Sequence, residues 1–283
     1  MTQSPELLTA IELSRKAGAA IMGFYEADYL VEEKNIGENQ SEPVTIADKT
    51  ASRIIVEGLT EAFPEDGILS EEEADTSRRL SRERLWLIDP MDGTKGFVSK
   101  NGDFAVQIGF AVDGRATIGV VYLPLHDVLY FAEENQGAYV VRGGNKPEKL
   151  NASNHSDFSE MTIAVSRDHR GPKMSELVRR LGVKAEIERG SVGIKIGLIA
   201  DQTCDLYVHL SPWTKHWDSA APEAIIREAG GDMTDIFGET LVYNSADVRN
   251  HNGLLATNGT AHKKAVAILR PLLTEIGRLR VKT

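Results

Sequence analysis

Only one cysteine, Cys204, occurs in the 283 residues. No disulfide can close within the chain, which fits a reducing compartment, the cytoplasm. The surrounding Asp201-Gln202-Thr203-Cys204-Asp205 holds no nucleophile motif, so Cys204 reads as a packing residue. Basic residues are in deficit, 32 Lys and Arg against 42 Asp and Glu, for a formal charge of −10. The broad basic surface of a protein that binds nucleic-acid polymers is therefore not expected. The acidity weighs less against a small phosphorylated substrate, because a bound cation inverts the local field. No apolar run reaches the roughly 18 residues that a membrane helix needs. Met1-Thr2-Gln3-Ser4-Pro5-Glu6 lacks the basic start and apolar stretch of a secretory signal. Internal repeats and low-complexity tracts are also missing. The expectation is a cytoplasmic globular protein with no membrane partner.

Hydrophobic residues at 41% and charged residues at 26% suit a packed core. The length allows two closely joined halves, 1–150 and 151–283, with the polar stretch Asn145–Ser159 as the boundary. Ser4-Pro5 marks a helix start, and Leu7, Leu8, Ile11, Ile21, Met22 and Tyr25 recur at helical spacing, with Gly18 on the same face for close packing. Glu32–Glu42 reads as a polar, mobile loop. Thr45-Ile46-Ala47-Asp48 opens a second helix with Ile54, Ile55 and Leu59 inward. Ile68–Ser70 and Leu85–Ile88 are short strands, the latter apolar throughout and so buried. Four β-like runs between Phe104 and Val141, separated by turn residues, form an antiparallel meander. The second half alternates: strands at 162–166, 206–209 and 254–257, helices at 172–181, 191–200, 217–229 and 261–276. Layers of sheet and helix in both halves predict an α/β (α+β) sandwich.

The chemistry concentrates in Asp89-Pro90-Met91-Asp92-Gly93-Thr94. An apolar strand runs into two carboxylates at a turn made tight by Pro90 and Gly93. Hard divalent cations take oxygen ligands, and here stand two carboxylates, the Met91 carbonyl and the Thr94 hydroxyl. Gly93 lets the backbone approach a phosphate, and the Gly93 and Thr94 amides can bind its oxygens. Leu69-Ser70-Glu71-Glu72 ends another strand in acids, which complete a metal cluster or simply form an acidic surface loop together with Glu73 and Asp75. Asp218, in Trp217-Asp218-Ser219-Ala220-Ala221, is a helix cap or a ligand, and the small residues after it allow close packing. Asp48 matches a capping box on spacing alone.

These four motifs, in this order, resemble the inositol monophosphatase superfamily of metal-dependent, lithium-sensitive phosphatases. The hexapeptide and the Trp-Asp-x-Ala motif are its signatures, and the resemblance runs from Leu7 to Ala261. It implies the layered αβαβα sandwich of the inositol monophosphatase and fructose-1,6-bisphosphatase type. Leu69–Glu72, Asp92–Phe97, Asn101–Phe104 and Leu210–Asp218 look most like the 3'(2'),5'-bisphosphate nucleotidase branch. Gly96 departs from it, since many bacterial members carry Glu there. The resemblance implies two or three Mg²⁺ ions: Glu71, Asp89 and the Met91 carbonyl holding one, and Asp89, Asp92 and Asp218 another, with a weaker third near Glu71. Thr94, paired with Asp48 or Glu71, would activate the attacking water, and Gly93 and Thr94 would cradle the phosphate. Ser191, Lys195, Ser211 and Lys215, with His169 as a further candidate, would face the leaving group. The implied reaction is hydrolysis of adenosine 3'(2'),5'-bisphosphate to AMP and phosphate. Inositol-1-phosphate or fructose-1,6-bisphosphate hydrolysis, or a non-catalytic binding protein on the same fold, are the alternatives. Monomer and homodimer both remain open.

Overall fold

Ser4 and Pro5 start the first helix as the sequence indicates. Ser4 Oγ accepts the Leu7 amide at 3.1 Å, and Pro5 fills the first turn, where its missing N–H costs nothing. The computed structural model describes residues 3–27, 30–37, 40–167 and 171–281. Helix α1 (Pro5–Tyr25) buries Leu7, Ile21 and Tyr25, and Gly18 lets it lie close on a sheet: a Cβ there would stand 2.5 Å from the Tyr122 ring. Leu8 departs from expectation and is 51% exposed. It sits about 100° of helix rotation from Leu7, which carries it past the apolar stripe.

Glu32–Glu42, read as a loop, is part of a hairpin. Strands β1 (Val31–Gly37) and β2 (Gln40–Thr45) pair antiparallel, with Glu32 opposite Val44. A two-stranded ribbon with little core behind it needs no apolar alternation, so its pattern resembles a loop. Backbone pairing holds it, with Lys49–Glu32 at 2.7 Å and Lys34–Glu72 at 2.9 Å. Helix α2 (Ile46–Ala62) buries Ile55 and Leu59, while Ile54 is half-buried.

Then follow β3 (Gly67–Ser70), β4 (Arg84–Asp92), the short helix α3 (Thr94–Val98), β5 (Ala105–Val112), β6 (Arg115–Leu123), β7 (Val128–Glu133), β8 (Gly137–Arg142) and β9 (Glu148–Lys149). They form a seven-stranded sheet in the order β3-β4-β5-β6-β7-β8-β9, with β3 parallel to β4 and the expected meander antiparallel. The second half carries β10 (Thr162–Ser166), α4 (Pro172–Leu181), β11 (Ala185–Arg189), α5 (Val192–Ala200), β12 (Leu206–His209), α6 (His216–Glu228), β13 (Asp232–Thr234), β14 (Leu254–Thr257) and α7 (His262–Glu275). Its five strands run in the order β11-β10-β12-β14-β13. β9 lies within the stretch read as a loop. β11, with the pattern Ala-Glu-Ile-Glu-Arg, is an edge strand too polar to stand out.

Strand alternation sorts the core into layers. Trp86, Ile88, Val106 and Ile108 pack against α1 and α2. Leu85, Leu87, Val121 and Tyr130 join Ile196, Ala220 and Ala224 of α5 and α6, together with Ala164, Tyr207 and Ala256 of the second sheet. That sheet's other face, with Ile163, Val165 and Leu255, meets α4 and α7. The result is the αβαβα sandwich implied by the motifs. Small residues bring α6 close to the first sheet as expected: a Cβ on Gly109 would stand 2.8 Å from the Ala220 Cβ, and one on Gly119 would stand 2.2 Å from the Ala221 carbonyl.

The buried face of α6 also carries an acid. Glu223 is 5% exposed and bonds Arg227 Nη1 at 3.2 Å. Its Oε2 and the neighbouring Tyr243 hydroxyl remain unpaired, since no well-aligned hydrogen bond joins them. Burial pushes the carboxyl up to about 7, against the opposing influence of Tyr243 and Arg227. The folded state therefore penalises the charged form. The stability this group contributes is fully present below its ordinary range near 4.5 and is lost as pH rises through about 7. Glu223→Gln is expected to raise the melting temperature at pH 8, by on the order of 2 kcal/mol of stability, and to add nothing at pH 4. Equal effects in thermal melts at both pH values would contradict this origin.

Candidate active site

Strand β4 carries Leu85–Ile88 through the sheet and delivers Asp89 and Asp92 at its end, where pairing with β5 shifts register between them. Asp89 Oδ1 accepts the Met91 amide at 3.0 Å, which folds the acid back over the turn. Gly93 adopts φ +98°, a left-handed conformation open to glycine, and a Cβ there would stand 2.3 Å from the Asp103 carbonyl. Gly96 meets the same obstacle at 2.4 Å, so the Asn101–Asp103 loop occupies the space a side chain would take. This gives the departure at Gly96 a local physical basis.

Parallel pairing sets β3 beside β4, and the Glu71 amide donates to the Ile88 carbonyl at 3.1 Å, which places Glu71 beside Asp89. The start of α2 supplies Asp48, whose two oxygens are engaged separately. Its Oδ2 accepts the Thr45 amide and hydroxyl, each at 2.7 Å, as the capping box requires. Its Oδ1 accepts the Thr94 hydroxyl at 2.9 Å. Thr94 Oγ1 also lies 3.3 Å from the Met91 carbonyl. Asp218 repeats the device at the start of α6, its Oδ2 accepting the Lys215 amide at 2.7 Å.

Helix α5 points its N-terminus at Asp92. Oδ2 of Asp92 accepts Ser191 Oγ at 2.6 Å, the Val192 amide at 2.5 Å and Gln107 Nε2 at 2.6 Å. Ser191 pays for this position with φ +45°, a strained conformation for a non-glycine residue.

These groups surround one cavity of about 400 Å³, lined by Glu71, Asp89, Met91, Asp92, Gly93, Thr94, Ser191, Lys195, Ser211, Lys215 and Asp218. Thus each site residue read from the sequence and described in the structure lies on this wall, except Asp48, which stands behind Thr94. His169 lies outside the described residues. Lys195 is 2% exposed, and its Nζ donates to the Gly190 and Ser191 carbonyls at 2.9 and 2.6 Å, bracing the turn before α5. Burial pushes Glu71 up to about 8, with the charge of Asp218 adding to it. Burial, then Glu71, Asp92 and Asp218, hold Asp89 well above the carboxylate range. Asp92 is raised by burial and drawn back by Lys195 and its hydrogen bonds. Burial pushes Asp48 up to about 6, against the pull of its Thr45 hydrogen bonds.

Two contributors escaped the sequence reading. Lys34 of β1 donates to the Glu71 carbonyl at 2.8 Å and Glu72 Oε1 at 2.9 Å, setting the hairpin against the cavity. Nothing in a polar segment marks it. Gln107 had a signal: it is a polar residue in the apolar run Ala105-Val106-Gln107-Ile108.

The donor set suits a hard divalent cation, being all oxygen and excess negative charge. Among the described residues no three such groups close around one point as they stand. Asp92 and Asp218 each have one oxygen committed to a helix start.

The inositol monophosphatase family matches residues 3–273. The 3'(2'),5'-bisphosphate nucleotidase CysQ of Salmonella typhimurium is 35% identical over 233 residues, 82% of this chain and 91% of that protein. The inositol-1-monophosphatase of Bacillus subtilis is 30% identical over 253 residues, 88% of this chain and 90% of that protein. The inositol monophosphatase structure from Thermotoga maritima superposes with TM-score 0.81 at 27% identity, covering 97% of this chain and 100% of that one. CysQ from Bacteroides thetaiotaomicron gives 0.74 at 33%, covering 89% and 96%. With its strand-end acids, helix caps and cavity in this arrangement, the chain belongs to the inositol monophosphatase family and is a phosphoric monoester hydrolase.

Proposed function

We propose that this phosphatase is a magnesium-dependent 3'(2'),5'-bisphosphate nucleotidase, converting adenosine 3'(2'),5'-bisphosphate to AMP and phosphate. The observation that carries the catalytic reading is the Thr94 hydroxyl bonded to Asp48 Oδ1 at 2.9 Å on the rim of a cavity lined by Glu71, Glu72, Asp89, Asp92 and Asp218. The CysQ relatives favour the nucleotide. The Bacillus relative supports inositol-1-phosphate as the second reading. The lone buried Cys204 and the lack, among the described residues, of a helix able to cross a membrane suit a cytoplasmic enzyme.

Glu71, Asp89 and the Met91 carbonyl would hold one Mg²⁺ ion, and Asp89, Asp92 and Asp218 a second. Bound there, magnesium supplies charge neutralisation at the phosphate and a lowered pKa for water. The Thr94 hydroxyl hands its proton to Asp48 and takes one from the attacking water. A proton acceptor that burial holds near pH 6 suits this step, because it is ionised at neutral pH yet binds a proton readily. A new P–O bond forms in line as the ester P–O bond breaks, and the Gly93 and Thr94 amides face the phosphate oxygens. The departing ester oxygen of AMP takes its proton from a second water molecule, and Ser211 and Lys215 would face it.

A phosphate-release assay on adenosine 3',5'-bisphosphate, inositol-1-phosphate and fructose-1,6-bisphosphate tests the substrate. The bisphosphate nucleotide is expected to lead in kcat/KM by tenfold or more, with activity lost in EDTA and reduced by millimolar Li⁺. A tenfold preference for inositol-1-phosphate would reverse the assignment. Thr94→Val removes the proton path but keeps the shape. It is expected to lower kcat about 100-fold or more with KM within threefold, while Thr94→Ser retains most of the rate. Unchanged kcat in Thr94→Val would remove Thr94 and Asp48 from the chemistry.

A further inference from the structure

The wall between Ser211 and Asp218 holds a residue with no part in phosphate chemistry. Trp213 lines the cavity and is half-buried. The cavity's other large aromatics, Tyr207 and Trp217, are 1% and 8% exposed, and Trp217 has the Lys215 ammonium 5.1 Å from its ring centroid. Trp213 is therefore the aromatic on this wall with surface left to offer a ligand.

It is also held in place. Its amide donates to Ser211 Oγ at 3.3 Å. The Arg249 guanidinium lies over its ring, 5.5 Å from the centroid, and Arg249 does not line the cavity, so the cation backs the indole from outside. Asn250 fastens the backbone that follows: its amide donates to the Thr214 carbonyl at 2.8 Å, and Nδ2 donates to the Lys215 carbonyl at 2.9 Å and Ser219 Oγ at 3.1 Å. The His216 amide donates to the Val248 carbonyl at 2.8 Å. Residues 248–250 thus grip the wall along its length, and little ordering remains to be done when a ligand arrives.

A flat apolar face in a cavity of acids and lysines meets only the C–H groups of a polyol, a smaller contact than a planar ring makes with it. A purine offers a whole planar π-face, and such a face stacks on an aromatic side chain. We propose that Trp213, preset by Arg249 and Asn250, determines specificity by stacking the planar base of the nucleotide leaving group. This rests on the nucleotidase reading above.

The test compares wild type, Trp213→Ala and Trp213→Phe on adenosine 3',5'-bisphosphate and on glycerol 2-phosphate, which has no ring. The ratio of kcat/KM between the two substrates is expected to fall tenfold or more in Trp213→Ala, through KM for the nucleotide, and to stay within threefold of wild type in Trp213→Phe. Equal losses on both substrates mean a structural role and overturn the proposal. So does an unchanged ratio in an enzyme whose wild type prefers the nucleotide. A wild type with no preference for the nucleotide instead overturns the nucleotidase reading, and the stacking role goes with it.

Discussion

Glu71, Asp89, Asp92 and Asp218 face one cavity, and their mutual repulsion is the constraint to which the surrounding structure answers. Burial alone already disfavours ionised carboxyls, and each neighbour adds to the cost. The fold offsets part of it with its own partial charges. Asp92 rests on the N-terminus of α5, and Asp218 and Asp48 each cap the helix they begin. Lys34 and Lys215 lower the carboxyl range of Glu71. What these groups leave uncompensated is the demand that the proposed divalent cation would meet.

The capping arrangement has a second consequence. Asp48 and Asp218 occupy equivalent positions at the starts of α2 and α6, each with one oxygen spent on its own helix. That bond fixes the side chain, so the remaining oxygen points from a rigid support. Asp48 uses it for Thr94. The cap of α2 and the carboxylate that holds the Thr94 hydroxyl are thus one residue, oriented by the helix start.

Much of this was legible in the sequence, for identifiable reasons. The run Leu85–Ile88 followed by Asp-Pro-Met-Asp-Gly-Thr combines a buried strand with a turn made tight by Pro and Gly, so strand, turn and acids all appear within Leu85–Thr94. The meander showed through its β-like runs and the turn residues between them. The β1–β2 hairpin did not, because backbone pairing leaves no residue signature and its first residues, Val31, Glu32 and Glu33, are exposed. Lys34 was hidden with it. The Arg249–Asn250 grip on Trp213 and Lys215 joins segments some 35 residues apart through a ring contact and a main-chain carbonyl, which carry no local pattern. Asp48 was ambiguous for the opposite reason: its spacing signalled the cap so strongly that the second oxygen's role could come only from the family likeness.

The central claim is that crowded acids make the folded protein depend on a cation. Thermal unfolding of wild type and Asp89→Asn, each in EDTA and in excess Mg²⁺, tests it most directly, since asparagine keeps the Met91 hydrogen bond and removes one charge. The account requires that Mg²⁺ raise the melting temperature of wild type by several degrees. It also requires that Asp89→Asn melt above wild type in EDTA and respond less to Mg²⁺. A wild-type melting temperature indifferent to Mg²⁺, or an Asp89→Asn variant that melts below wild type in EDTA, would contradict it.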